Sequence, residues 1–185
     1  MLKKLLNNLP EDVYVQRVLG GLAKDTDAPM PIEMQNMLQG TWRKIEEKIP
    51  DIHFNFDFWT ECQPRRATYN ACRAVIVARS QGKEFDEAMT AAIQTAYYQQ
   101  ARNPSDLTTL IELAKELGLD KAQFEKAMSS QQVQQQLEKE IQQSRELYAE
   151  SFPSLVLQVG KTTSHIPIDY LNVSSMLETI NRSIQ

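Results

Sequence analysis

No Cys-x-x-Cys occurs anywhere in this chain of 185 residues, and it has only two cysteines, Cys62 and Cys72. Thiol–disulfide exchange needs an attacking thiolate and, for turnover, a second thiol to resolve the mixed disulfide. The spacing of Cys62 and Cys72 falls outside any Cys-x-x-Cys geometry, although it leaves a structural bridge between them open. Histidine is equally scarce. His53 and His165 are far apart with no ligand spacing, so no metal site is expected. Ser, His and acidic residues form no nucleophile-elbow motif. Gly20-Gly21 leads into a polar loop rather than a phosphate-cradling turn. No apolar run reaches the length of a membrane span. The N-terminal segment lacks the apolar stretch and cleavage site of a signal peptide, so the expected compartment is the cytoplasm and the thiols are expected to be reduced. A net charge of −4 argues against a general binder of nucleic-acid backbone. No internal repeat is visible.

What the chain does contain is enough apolar material for a core, at 42% of residues. Leu2, Leu5, Leu6 and Leu9 have helical spacing, ended by Pro10. Val13, Val15 and Val18-Leu19 read as a strand closed by Gly20-Gly21, followed by a turn-rich loop over Lys24 to Pro29. Pro31 opens a helix whose stripe is Met34, Met37, Leu38, Ile45 and Ile49, with Pro50 as its stop; Met37, Leu38 and Trp42 are read as core. Phe54, Phe56 and Phe58 alternate with polar residues as a short extended segment. Helices are expected over Arg65 to Gln81 and along Phe85, Met89, Ile93 and Tyr97. Ser105 is a candidate N-cap for the helix carrying Leu107, Leu110 and Ile111, and Asp120 for a short one carrying Phe124 and Met128. Val133, Leu137, Ile141 and Tyr148 line a further helix. A strand after Pro153, a turn at Gly160, a strand from Ser164 to Tyr170 and an amphipathic helix with Val173, Met176, Leu177 and Ile180 close the chain.

Pro153 is the best local clue to a site. Proline has no N–H for a ladder, so it belongs at a strand's first residue, an edge or a bulge. In Ser151-Phe152-Pro153-Ser154-Leu155-Val156-Leu157 it stands at the mouth of an apolar strand, where a ligand's backbone could pair.

The order of elements is α/β, with a large helical block set into a small sheet. That order resembles a thioredoxin-like fold with an all-helical insertion, as in the DsbA family. Val18-Leu19-Gly20-Gly21-Leu22, Phe54-Asn55-Phe56-Asp57-Phe58-Trp59, Pro64 to Ala74, Ala96-Tyr97-Tyr98 and Phe152 to Leu157 look like its cytoplasmic, protein disulfide isomerase-like or FrnE-like branch. The resemblance implies a thioredoxin-like domain from residues 1–21 and 151–185 and a helical insertion over 22–150. It also implies a first strand, lying between the second and third, that leads into a helix carrying the redox cysteines. Met1 is expected to fall inside that helix, so the strand and the cysteine pair are expected to lie upstream of Met1 and the chain as it stands to be redox-inactive. A strand borrowed from a second chain, giving a homodimer, is the alternative source.

The resemblance also implies roles. The proline matching Pro153 is cis and faces the redox cysteines, and Phe152 before it offers backbone to an extended thiol- or disulfide-containing peptide. Arg65, Arg66 and Arg73 lie on the helix that borders the site in kappa-class glutathione transferases and hydroxychromene carboxylate isomerases. They could hold a carboxylate, with glutathione as the small molecule to consider, or pair with Asp57 or Glu61 and brace the insertion. Cys72 is expected to be a buried small hydrophobe and Cys62 an inert loop thiol. Three functions remain: a member of a thiol–disulfide oxidoreductase or isomerase family, a redox-dead peptide-binding module, and a glutathione-dependent transferase or isomerase of the kappa type.

Overall fold

The computed structural model describes residues 2–49 and 51–184. Pro50, the expected helix stop, and Met1 lie outside the described residues. The chain divides into two compact units, one made of the residues up to Gly20 together with those from Lys139 on, the other running from Gly21 to Glu138. The second unit thus closes inside a helix rather than at residue 150.

The first unit is built on a β-hairpin. β1 (Leu155–Val159) and β2 (Thr162–Ile166) pair antiparallel, with Leu155 opposite Ile166 and Val159 opposite Thr162. Gly160, at φ 60°, occupies the first position of the two-residue turn, where only glycine accepts a positive φ cheaply. Helix α1 (Leu2–Leu6) and the C-terminal helix α9 (Val173–Ile184) cover one face of the hairpin. Leu5, Ile166, Met176 and Ile180 form the buried centre, and Leu9, Leu155, Leu157, Val173 and Leu177 pack around it. The i, i+4 spacing of Met176 and Ile180 places both on the inner face of α9. Asn172 caps that helix, its side-chain oxygen accepting from the Ser174 and Ser175 N–H groups.

Two strand expectations change here. The second strand stops at Ile166 instead of reaching Tyr170, because Pro167 offers no N–H and Asp169 turns the chain by accepting from the Leu171 and Asn172 N–H groups. The segment 13–20 forms no ladder, since the sheet among the described residues has only β1 and β2. An extended run becomes a strand only when a neighbour accepts its hydrogen bonds.

The second unit is helical. It contains α2 (Ile32–Lys48), α3 (Phe58–Glu61), α4 (Tyr69–Gln81), α5 (Glu84–Gln99), α6 (Leu107–Glu116) and α7 (Lys121–Met128); α8 (Gln131–Glu146) begins in it and ends in the first unit. α4 buries an unbroken apolar run, Ala74 to Ala78, because α5, α6 and α7 all pack against it. A second centre surrounds Trp42. Phe54 stacks on it at 4.9 Å and 19°, Trp59 lies at 4.9 Å, and Tyr97 meets it edge-on at 5.4 Å. Such aromatic pairs add about 0.5–1.5 kcal/mol each beyond area burial.

Several local readings are corrected. Phe54 to Phe58 is not an extended segment, because a turn at 56–57 runs into α3 and brings all three phenylalanines to Trp42. Met37 is 60% exposed, so it is not core, whereas Trp42 is buried and Leu38 packs beside it. The helix expected from Arg65 starts at Tyr69. Arg65 is instead held in an isolated bridge to Pro29, and the Thr68 hydroxyl and backbone bond to Ala23. Asp106 rather than Ser105 precedes α6, and the buried Ser105 hydroxyl donates to the Ala67 carbonyl at 3.0 Å. Asp120 caps α7 through the Gln123 N–H. Tyr148 lies past the end of α8 with φ 54° and is 78% exposed.

Candidate functional site

The open edge of β1 defines the site. One edge of the strand pairs with β2; the other faces a groove of about 560 Å³ within the first unit. One wall is the segment from Asp12 to Val18, which has no regular secondary structure, and the other is Ser154 to Gly160. Leu5, Leu9, Ile166, Ile180 and Ile184 line it from the α1 and α9 side, and Gln143 and Leu147 from α8 and the turn after it. Leu155-Val156-Leu157 is an apolar run of the kind that strands buried on both faces and both edges carry. Here those residues are only half-buried. Tyr14 and Val15, on the opposite wall, are 96% and 55% exposed.

The wall is held without a ladder. The Leu19 N–H donates to the Glu140 carboxylate at 3.1 Å, and Glu140 is buried on α8. At its end the wall meets Phe152, whose ring packs on Gly20. Phe152 is 44% exposed, and the peptide bond between it and Pro153 is cis. Ser154 closes this corner by donating its hydroxyl to the Ser151 carbonyl. The register places the loop after β2 at the same end, because Ile166 is opposite Leu155. Tyr170 and Leu171 in that loop are 59% and 88% exposed. Sequence reasoning singled out Phe152 and Pro153 but not Tyr170, Leu171 or Glu140. The hairpin register was the missing signal for the first two.

The three arginines lie in the other unit. Arg65 forms an ion pair with Asp106, and Arg73 donates to Asp25 at 2.7 Å, to the Asn70 side-chain oxygen at 2.6 Å and to Gln134 at 3.0 Å. The partners are therefore Asp106 and Asp25, not Asp57 or Glu61. The chain turns at Asn55 to Asp57, and Asp106 stands at the start of α6 beside Arg65. Arg66 is exposed. Arg65, Asn70 and Ser105 line a small polar pocket of about 170 Å³ with Asp25, Thr26 and Asp27.

Neither cysteine is in a disulfide, so the bridge left open by spacing is not formed. Cys72 is half-buried rather than fully buried. The Cys62 thiol donates to the Ala101 carbonyl at 2.9 Å. Burial, with Asp106 and Glu61 nearby, pushes its pKa above the usual thiol value, which keeps it a protonated, weak nucleophile. Among the described residues, no group of three or more His, Cys, Asp or Glu is placed to hold a metal, and no helix is long and apolar enough to cross a membrane.

A two-stranded hairpin covered by helices, with a proline at the mouth of its first strand and a helical insertion, is what the thioredoxin class contains in its DsbA-like form. The family described as Thioredoxin matches residues 2–174, and the chain belongs to it. Three solved structures share the DsbA-like fold. A candidate protein disulfide isomerase from Nitrosomonas europaea superposes with a TM-score of 0.72 at 22% identity, covering 87% of this chain and 78% of its own. The cytosolic disulfide reductase DsbM from Pseudomonas aeruginosa superposes with a TM-score of 0.72 at 18% identity, covering 99% of this chain and 89% of its own. Its structure with GSH gives 0.71 and 19%, covering 99% and 90%. No curated protein matches the sequence.

Proposed function

We propose that this protein serves thiol–disulfide chemistry by docking an extended polypeptide at the mouth of β1, beside Phe152 and Pro153. The carrying observation is the exposed edge formed by residues 151–153 before β1, where Phe152 stays 44% exposed although its ring rests on Gly20. Main-chain pairing along such an edge supplies affinity, and alternate side-chain positions supply selectivity. The occupant is a thiol- or disulfide-bearing peptide. The DsbA-like fold and the disulfide reductase among its structural neighbours support that choice.

The chain as it stands is proposed to be redox-inactive. The first unit contains no cysteine, and Cys62, in the second, is kept protonated. Insulin reduction by this chain at the uncatalysed rate, together with saturable binding of labelled insulin B chain, is the expected result. Catalysed reduction, or no binding, refutes it.

Glutathione is a second occupant to test, because the DsbM structure holds it and because it is itself an extended peptide. Competition of glutathione against labelled B chain would place both at one site. The cytosol is the proposed compartment, supported by the cytosolic DsbM neighbour.

A further inference from the structure

Gly40 stands in the middle of α2, where glycine is the poorest helix former after proline. The backbone there is helical, so no left-handed conformation calls for glycine. Packing within the chain does not call for it either, because a Cβ built on Gly40 meets no neighbouring atom within 4 Å. By helical geometry Gly40 lies about 160° around α2 from Trp42, the buried side chain that roots this helix in its unit. The same outward face carries Glu33, Met37 and Lys44. With Gly40 they fall at i, i+4, i+7 and i+11, which is the seam spacing of a two-helix coil. All three of those side chains are exposed, Met37 to 60%. Neither the Glu33 nor the Lys44 side chain has a hydrogen-bond or ion-pair partner among the described residues.

We propose that this face is where two copies of the chain associate, α2 against α2 in antiparallel order about a two-fold axis. Reversed on itself, the seam is complementary in charge and in shape. Glu33 meets Lys44 of the partner subunit, Met37 drops into the gap left by Gly40 of the partner subunit, and the two-fold repeats each contact. A parallel arrangement would set Glu33 beside Glu33 and Lys44 beside Lys44, so the charges select the antiparallel one. Opposed helix dipoles favour it too. An acid in the first turn also suits the dipole of a lone helix, but that leaves the exposed Met37 and the gap at Gly40 unexplained, and a second copy uses both. Four residues a side, against roughly 20–30 in a standard interface, make the dimer weak and concentration-dependent. The proposal does not rest on the docking reading, since α2 belongs to the unit without Phe152.

The experiment is sedimentation equilibrium of the full chain at concentrations up to about 1 mM, with thermal melts of every variant alongside. The parent should dimerise reversibly. Glu33→Lys and Lys44→Glu should each weaken self-association by about tenfold or more, because like charges replace both ion pairs. The double variant Glu33→Lys/Lys44→Glu should recover parent-like association, since opposite signs meet again only in the antiparallel order. Gly40→Gln tests the gap without changing charge. It should associate about tenfold more weakly yet melt at or above the parent's temperature, because glutamine is the better helix former and has open space. A merely structural role for Gly40 would not separate the two readouts in this way. A parent that stays monomeric throughout overturns the proposal. So does a dimer unmoved by either charge variant, a double variant as weak as the single ones, or parent-like association by Gly40→Gln.

Discussion

Replacing Arg73 by methionine keeps the aliphatic stem and removes the guanidinium, and the structure sets the size of the effect. The side chain is only 12% exposed and makes three bonds, to Asp25, Asn70 and Gln134. They tie the loop after Gly21 and the start of α8 to α4. Hydrogen bonds to a charged group contribute about 1.5–3 kcal/mol each. The lower end suits the two amide acceptors. The Asp25 carboxylate is 48% exposed, so solvent screens that pair to under about 1 kcal/mol. The expected loss is about 3 kcal/mol in urea unfolding followed by far-UV circular dichroism, with faster amide exchange in residues 24–27. If Arg73 instead served to hold a ligand's carboxylate, Arg73→Met would leave stability within about 1 kcal/mol of the parent and abolish glutathione competition. That pair of results would refute the bracing role.

Other expectations follow from single contacts. Met176→Ala, at a residue 1% exposed between α9 and the hairpin, should cost about 2–5 kcal/mol and loosen the hairpin, read as weaker B-chain binding. Asn172→Ala removes the α9 cap and should cost about 1 kcal/mol by urea unfolding. Cys62 should be alkylated by iodoacetamide more slowly than a free thiol at pH 8, since its raised pKa leaves less thiolate. The sign for stability runs the same way. The folded state holds the Cys62 proton longer than the unfolded one, so this thiol favours folding below its ordinary pKa of 9.0 and that contribution is lost as pH rises through the folded value. Urea midpoints measured from pH 8 to 10 on the parent and on Cys62→Ala should diverge accordingly.

Much of the fold was legible because it is set locally. The Asp120 cap, the glycine turn at Gly160 and the period-four stripe of α9 need only their own neighbours. The hairpin after Pro153 was legible for the same reason. The segment 13–20 was not, because its valines fit an extended conformation while a strand also requires a partner. Phe54, Phe56 and Phe58 misled by alternating. Period two is a strand signal only when the chain stays straight, and here a turn folds all three onto one tryptophan. Pro153 was singled out by its place at the mouth of an apolar strand and Phe152 by the family resemblance, whereas the contacts of Gly20 and Glu140 cross long sequence separations that no local pattern encodes.

The flank of β1 that has no ladder partner among the described residues has a practical corollary for handling this protein. Bare amide and carbonyl rows beside valine and leucine are a template that like molecules copy, layer on layer. Concentrated stocks should therefore form thioflavin-positive deposits, seeded at Leu155 to Val159, and a saturating guest in the cleft should keep them clear.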